Sequence, residues 1–264
     1  ATKNSIVQSL KQFSVASVRP EIIDPETTFI ELTTDFKYDS DKTTKDVSTL
    51  RTNIRNAITT YNEETLKNFT GVFRYSKLLE AINNADTSIL SNITTVKMYK
   101  TVTPTLNSAL KYEVSFNNAF FNPHSGHNEA AGGVISSTGF KINNDSSTNE
   151  HFLDDDGAGN IRVYYLSGTT RIYTSRTFGT VNYTTGKVTL TSANITSISN
   201  VDGATSTLFR VFAIPDSNDI VPVRNQVLEI DTANSSVGGE VDAVESGSSQ
   251  AGTTYTTTSS YSSY

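Results

Sequence analysis

Residues 151–160, HFLDDDGAGN, combine a histidine with three consecutive aspartates and a glycine-rich end. Carboxylates and imidazole bind metal ions, so this stretch is the first candidate for chemistry. A helix-flanked calcium loop, however, needs oxygen ligands at alternating positions and a late bidentate Glu, which this segment does not offer. In an extended backbone Asp154 and Asp156 would also point away from Asp155. We therefore predict a Gly- and Asp-rich turn that enters the strand IRVYYL, and no functional metal.

A second candidate is FNPHSGHNEA, residues 121–130, where His124, His127 and Glu129 could bind zinc. The third histidine, His151, could join them only if the fold brought it close. Pro and Gly within this run indicate a surface loop, which does not fix ligand geometry. We predict a polar loop, and a metal-dependent hydrolase that uses the three histidines and the aspartates stays as an alternative hypothesis.

Other catalytic patterns give no stronger signal. The chain has no Cys, so thiolate chemistry, Cys-based zinc sites and disulfides are excluded. The G-x-S-x-G elbow and the glycine-rich phosphate loops that open a helix are also missing. A glycosidase carboxylate pair depends on spatial placement, which a sequence does not show. We predict that the chain is not an enzyme, with no catalytic, cofactor-binding or metal-binding residues.

Composition narrows the range of partners. The 264 residues carry a formal net charge of -6, which argues against nucleic acid because phosphate binding needs a basic face. No stretch of about 18 apolar residues is present, so no membrane-spanning helix is predicted. The chain begins with Ala and not with Met, and we expect it to be a piece of a longer protein.

The first part of the chain predicts a small α+β unit. Residues 1–19 form an N-terminal connector or helix, and FIELTTDFKYD alternates as a strand with one buried face. Apolar residues at three- and four-residue steps predict a helix over 43–67, and Ser76 can cap a second helix over 76–85. ITTVKMYKTV then returns to a strand pattern, so 20–103 should be a β-α-α-β domain. Its sheet of two strands is thin, and we expect it to borrow a strand from elsewhere or from a partner chain.

The rest of the chain predicts antiparallel β-structure over 104–235, a sandwich or barrel-like domain, which makes the fold class α+β. Residues 178–191 predict a hairpin, with Val181 on one strand and Val188 on the other. Residues 236–264 form a Ser-, Thr- and Tyr-rich tail that should be disordered or strand-adding.

Three stretches together carry a family resemblance: SVRPEIIDPETTFIEL, GVFRYSKLLEAINNAD and AIPDSNDIVPVRNQVLEID. They give a proline-led strand, a second helix opened by Gly and Ser-x-Leu, and a β-region that ends in VPVRNQVLEI. In this order the chain resembles the C-terminal half of the ring-forming baseplate wedge subunit of T-even-like contractile-tail phages, within the baseplate J-like group. The resemblance covers about 17–231, and the tail after about 236 matches nothing in it.

The resemblance implies a structural virion protein without enzymatic activity, located in the tail baseplate and assembled in the host cytoplasm. It implies a homo-oligomer whose dimer contacts build a ring, with further contacts to other baseplate wedge subunits and the central hub. No nucleic acid, membrane or cofactor is expected as a partner.

The sequence also predicts which surfaces would bind another chain, and it leaves one more function open. We expect another chain to bury part of the apolar face of helix 43–67 or the edge strand near 28–38. A carbohydrate-binding or adhesive module is the second alternative, and it would need exposed tyrosines clustered in one groove.

Overall fold

The computed structural model describes residues 3–13, 22, 25–68, 70–127, 133–143, 145, 149–199 and 206–242. Within these residues the helices are α1 (Lys3–Lys11), α2 (Val47–Tyr61) and α3 (Tyr75–Asn83). The strands are β1 (Glu26–Tyr38), β2 (Ile89–Val102), β3 (Ala109–Ser115), β4 (Ile135–Ser137), β5 (Phe140–Ile142), β6 (His151–Asp155), β7 (Asn160–Ser167), β8 (Thr170–Asn182), β9 (Lys187–Ile198), β10 (Phe209–Ala213), β11 (Gln226–Ile230) and β12 (Ser236–Val241). The fold is α+β, with a helix-covered sheet and an antiparallel barrel-like sheet. Among the described residues, no helix has the length and apolar character needed to cross a membrane.

The first sheet has the order β11-β1-β2-β10-β4, with β12 also beside β1. The predicted alternation in β1 is confirmed, since Ile30, Leu32 and Phe36 are buried on one face. The expected borrowing of strands is also confirmed, and the strands come from later in the same chain.

Strand β1 is not the edge strand that we expected. One side pairs antiparallel with β2, and the other pairs parallel with β11 and then β12. The gap between β11 and β12 is filled by Ser235, whose Oγ accepts a hydrogen bond from the backbone N of Leu32 at 3.0 Å. The backbone of β1 is therefore covered along both sides by this chain, because two short strands follow one another along it.

Helix α2 lies on the buried face of this sheet. Its N-terminus is capped by Asp46, whose Oδ1 accepts from the backbone N of Thr49 at 2.9 Å, so the helix begins later than the predicted residue 43. After Tyr61 it continues as a π-helical turn, Asn62–Leu66. Buried Asn62 accepts from the backbone N of Ile230 at 2.8 Å and so fastens β11 to the helix.

Helix α3 begins without the predicted Ser76 cap. Arg74 occupies the cap position and gives no side-chain cap bond. The first helical N–H, that of Tyr75, instead donates to Asp219 at 2.9 Å, and the same carboxylate accepts from the Arg74 guanidinium at 2.8 Å. The cap comes from a residue 144 positions away, which local sequence could not reveal.

The second sheet has the order β3-β9-β5-β6-β7-β8, and β8 also pairs with β9. The ladder therefore returns to β9 and closes like a barrel. The predicted hairpin is confirmed: Val181 faces Val188, and residues 183–186 form the turn.

The two sheets meet where β4 of the first lies against β6 of the second. Ser137 Oγ accepts from the backbone N of Leu153 at 2.9 Å, and Asp155 accepts from the backbone N of Ile135 at 2.8 Å. Buried apolar side chains of both sheets form one connected core.

Strand membership crosses the domain boundaries predicted from the sequence. β4, β10 and β11 lie within 104–235 but complete the first sheet. The predicted tail 236–264 begins with strand β12, which pairs with β1 and buries Val237. The residues of this tail from 243 onward lie outside the described part of the chain. At the other end, α1 lies within the predicted connector 1–19. Ile6 and Leu10 of this helix are exposed, and so is Phe13 after it.

Candidate functional site

The histidines lie in two different settings. His124 and His127 are exposed in a loop, with ring centroids 5.1 Å apart, whereas His151 is in β6 and 1% exposed. Nε2 of His151 is 2.8 Å from Oδ2 of Asp145. Glu129, the remaining candidate ligand, lies outside the described residues. Among the residues that the structure describes, no group of three His, Asp or Glu side chains is placed to hold a metal ion.

The loop with the two histidines contacts the aspartate-rich segment through two hydrogen bonds to the backbone oxygen of Gly157. Gly126 N donates to Gly157 O at 3.0 Å, and Asn122 Nδ2 donates to the same oxygen at 3.2 Å. The two candidate segments, 121–130 and 151–160, are therefore neighbours in space. The carboxylates of Asp154, Asp155 and Asp156, however, accept hydrogen bonds from other parts of the chain.

Asp156 organises the predicted turn. Its Oδ1 accepts from the backbone N of Ala158 at 2.8 Å and of Asn160 at 2.9 Å, while Gly157 and Gly159 adopt φ of 72° and 109°. Burial opposes ionisation of Asp156, but a hydrogen bond from Nδ2 of Asn160 at 2.6 Å, together with the two backbone bonds, outweighs it and lowers the pKa of Asp156. The turn interpretation is confirmed for 156–159, while the other two aspartates belong to β6.

Asp154 is the centre of a buried ion cluster. Arg162 on β7 donates to both of its carboxylate oxygens, at 2.8 Å from Nε and 3.1 Å from an Nη, and both residues are 2% exposed. Arg171 and Tyr173 on β8 also donate to Oδ2, at 2.8 Å and 2.9 Å. The Asp154 carboxylate therefore has four donor contacts and two guanidinium groups beside it, so it is both paired and fully hydrogen-bonded.

Asp155 points the opposite way and joins the two sheets. Besides the bond from Ile135 N, it accepts from the Tyr183 hydroxyl at 2.5 Å. Burial and this hydrogen bond raise the pKa of Tyr183 above its ordinary value. Asp155 is fully buried and serves the junction of the sheets.

Three guanidinium groups stack on tyrosine rings around Asp154. Arg162 and Arg176 lie over the ring of Tyr173, 4.5 Å and 4.7 Å from its centroid, and Arg171 lies over Tyr164 at 4.6 Å. Sequence reasoning missed this cluster. The signal was present, because strand alternation in IRVYYL and TRIYTS places Arg and Tyr on one face of a hairpin.

A second polar cluster lies on the first sheet, on the face away from α2. The ring of Tyr99 stacks on Phe29 at 5.0 Å, Arg210 lies over it at 5.1 Å, and its hydroxyl donates to Asp231 at 2.5 Å. Burial opposes ionisation of Asp231, but hydrogen bonds from Asn234 and Tyr99 outweigh it and lower its pKa.

These residues and their neighbours line an open cleft of about 430 Å³. Tyr99 is only 3% exposed, so its ring does not offer the open aromatic platform that the carbohydrate-binding hypothesis requires.

The two surfaces expected to bind another chain are covered by this chain itself. Leu50, Ile54 and Ile58 of α2 are at most 2% exposed, and β1 has neighbours on both sides. The expectation that another chain buries part of the apolar face of helix 43–67 or an edge strand near 28–38 is therefore wrong for this fold, because this chain already covers both. It failed because strands from after residue 208 return to the first sheet, which periodicity cannot predict.

Comparison with known proteins gives a match in this same region. Residues 26–101 match the family described as "Baseplate structural protein gp6, C-terminal domain III". The match runs from the first residue of β1 to the last but one of β2 and includes α2 and α3. A comparison with curated proteins found no match. The similarity over 26–101 supports a structural role in a phage tail baseplate, and it suggests a non-enzymatic one.

Proposed function

We propose that the chain is a structural wedge subunit of a contractile phage tail baseplate. In this role it joins copies of itself, through dimer contacts that build a ring, and contacts other wedge subunits and the central hub. It is assembled in the host cytoplasm and remains in the virion. The proposal assigns it no enzymatic activity, no catalytic residue, no metal and no cofactor, and no contact with nucleic acid or membrane.

The observation that carries the proposal is the family match over the β1-α2-α3-β2 unit. The candidate ligands agree with it, because Asp154, Asp155 and Asp156 each serve the fold through hydrogen bonds inside the chain. A buried network of this kind gives a rigid component that can hold its shape in an assembly.

The direct test is disruption of the gene in the phage that encodes the chain. We expect particles with filled capsids but tails that lack baseplates, and rescue by the intact gene supplied in trans. A rescuing copy that carries Asp154→Asn tests whether the Asp154 carboxylate is needed for catalysis or only for the stability of the fold. At a temperature where that variant is folded it should rescue fully. Normal baseplates in the disrupted phage would contradict the proposal.

A further inference from the structure

The hairpin of β7 and β8 leaves part of one backbone edge of β8 open. β8 pairs with β7 from Thr170 to Thr180, but it pairs with β9 only from Gly179 to Asn182. Among the residues that the structure describes, no strand pairs with that second side of β8 over 170–178. An open strand edge presents N–H and C=O groups to which an extended chain can add as a further strand.

The turn of this hairpin shows which backbone groups face the open edge. Gly168 is the first of two turn residues and has φ of 63°, the pattern of a type II′ hairpin turn. The two residues that flank such a turn are hydrogen-bonded to each other, and bonded pairs then alternate along the ladder. Because Thr170 flanks the turn, Arg171 and Tyr173 belong to pairs that are not bonded to β7. Their N–H and C=O groups therefore point toward the open edge.

The side chains beside this edge differ between its two faces. Arg171 is 36% exposed, and Arg176 is also exposed on the same face, where its guanidinium lies over the ring of Tyr173, 4.7 Å from the centroid. Within the described part of the chain, Arg176 makes no ion pair. Ile172 points to the opposite face and is 39% exposed. One face of the edge is therefore basic and the other apolar.

Hydrogen bonds hold the basic face in one geometry before any partner binds. An Nη of Arg171 donates to Asp154 at 2.8 Å, and the Tyr173 hydroxyl donates to the same oxygen at 2.9 Å. Asp154 is itself 2% exposed, so its carboxylate is held within the sheet. A partner would therefore meet guanidinium groups that have little ordering cost left to offset.

We propose that the open edge of β8 binds an extended segment of a different baseplate protein, in which acidic residues alternate with apolar ones. The backbone of that segment pairs with Arg171 and Tyr173. Its carboxylates lie beside Arg171 and Arg176, and its apolar side chains lie beside Ile172, because the side chains of a strand alternate and opposite charges attract across a ladder. The inference rests on the proposed function for its setting, which includes contacts with other proteins but no surface for them.

The probe is a fluorescein-labelled peptide of alternating Glu and Val, about eight residues long so that it covers the edge. Its binding to the full 264-residue chain is measured by fluorescence anisotropy, with the chain at up to about 1 mM. We expect saturable binding that weakens when NaCl is raised from about 0.05 M to about 0.5 M. The same peptide with methylated backbone nitrogens keeps its charge but cannot donate to the edge, so its affinity should be at least about tenfold lower.

Amide hydrogen exchange followed by NMR locates the contact. Bound peptide should slow exchange at the N–H groups of Arg171 and Tyr173. It should change exchange at Ile172 less, because the alternation along the ladder already bonds that N–H to β7.

A charge reversal beside the edge gives the residue-level test. Arg176→Glu should lower the affinity for the Glu–Val peptide at least about tenfold, and Arg176→Gln, which removes the charge without reversing it, should lower it less. Lys97→Glu is the matched control, because it makes the same charge change at an exposed site on the first sheet and should leave the affinity unchanged. Circular dichroism confirms that the variants are folded.

The inference would be overturned by a Glu–Val peptide that does not bind, by equal binding of the methylated peptide, or by equal losses in the Arg176→Glu and Lys97→Glu variants. Light scattering adds one more such result. A mass that rises with concentration in the wild type but not in Arg176→Glu would mean that a second copy of this chain occupies the edge. None of these results bears on the presence of the chain in the tail, so failure here is distinguishable from failure of the proposed function.

Discussion

At the residue scale, three adjacent aspartates have three separate roles because strand alternation turns them apart. Asp154 balances arginines on one face of β6, Asp155 joins the two sheets on the other, and Asp156 holds the turn. Alternation was predictable from sequence, and so was the turn. The partners were not, because Arg162, Ile135 and Tyr183 reach the carboxylates only through strand pairing.

Asp154→Asn should destabilise the fold by about 3 kcal/mol, because it leaves buried Arg162 without a counter-charge. Urea unfolding at pH 7 measures the change. Glu64→Gln, at an exposed position, is the control and should stay within about 0.5 kcal/mol. A loss of less than about 1 kcal/mol, or the loss of a stoichiometric bound metal, would contradict the structural role of Asp154.

At the element scale, the hairpin β8–β9 depends on the glycine that closes its turn. Gly186 has φ of 64°, and a Cβ there would lie 1.9 Å from the backbone oxygen of Asn118. Gly168, in the β7–β8 turn, has φ of 63° and open space around it. A side chain at Gly168 would therefore meet only the strain of the left-handed backbone, whereas a side chain at Gly186 would meet that strain and a steric overlap as well.

Gly168→Ala should cost about 1–2 kcal/mol from the left-handed backbone alone. Gly186→Ala should cost clearly more, because residues 116–118 must also move away from the turn. Thermal unfolding of the two variants side by side gives the comparison. Equal losses would mean that the contact between the turn and Asn118 is unimportant.

A second element-scale contact ties the start of α2 to the start of β2. Lys45 Nζ lies 2.5 Å from Asp86, whose other oxygen accepts from Ser88. The bond from Lys45, with those from Ser88, lowers the pKa of Asp86 from 3.8 to about 2, against the effect of burial. The folded pKa is depressed, so the stabilisation is present above about pH 4 and is lost as the pH falls through about 2.

Asp86→Asn should therefore cost about 1–2 kcal/mol at pH 7, with allowance for solvent screening at half-exposed Lys45. The difference from wild type should shrink steadily between about pH 4 and about pH 2. Urea unfolding across that range measures it. A difference that stays constant with pH would show that the charge of Asp86 is not the cause.

Element prediction from sequence worked where the pattern is local. Strand β1, helix α2 and the 178–191 hairpin each follow from periodicity within a few residues. The start of α3 and the position of β1 inside the sheet do not. Both depend on residues more than 130 positions away, namely Asp219 and the β11–β12 segment.

At the scale of the whole molecule, the β-α-α-β unit is completed by the rest of the chain. β10 pairs with β2, and β11 and β12 pair with β1. Without them the first sheet would have two strands, which is marginal in water. The segment that matches a baseplate family therefore draws its stability from residues beyond the match.

A fragment of residues 26–103 should be unfolded, whereas residues 26–242 should fold in one cooperative transition. Circular dichroism and amide NMR dispersion distinguish the two states. A well-dispersed spectrum from the short fragment would contradict this account and would support the predicted division at residues 103 and 104.

The location of this chain in the phage particle tests most directly whether it is a structural part of a tail baseplate. Purified particles would be labelled with gold-conjugated antibodies raised against residues 26–242 and viewed by electron microscopy. We predict gold at the distal end of the tail in every intact particle. Label on the capsid, or tails that carry none while the same antibodies detect the chain in infected cells, would contradict the claim.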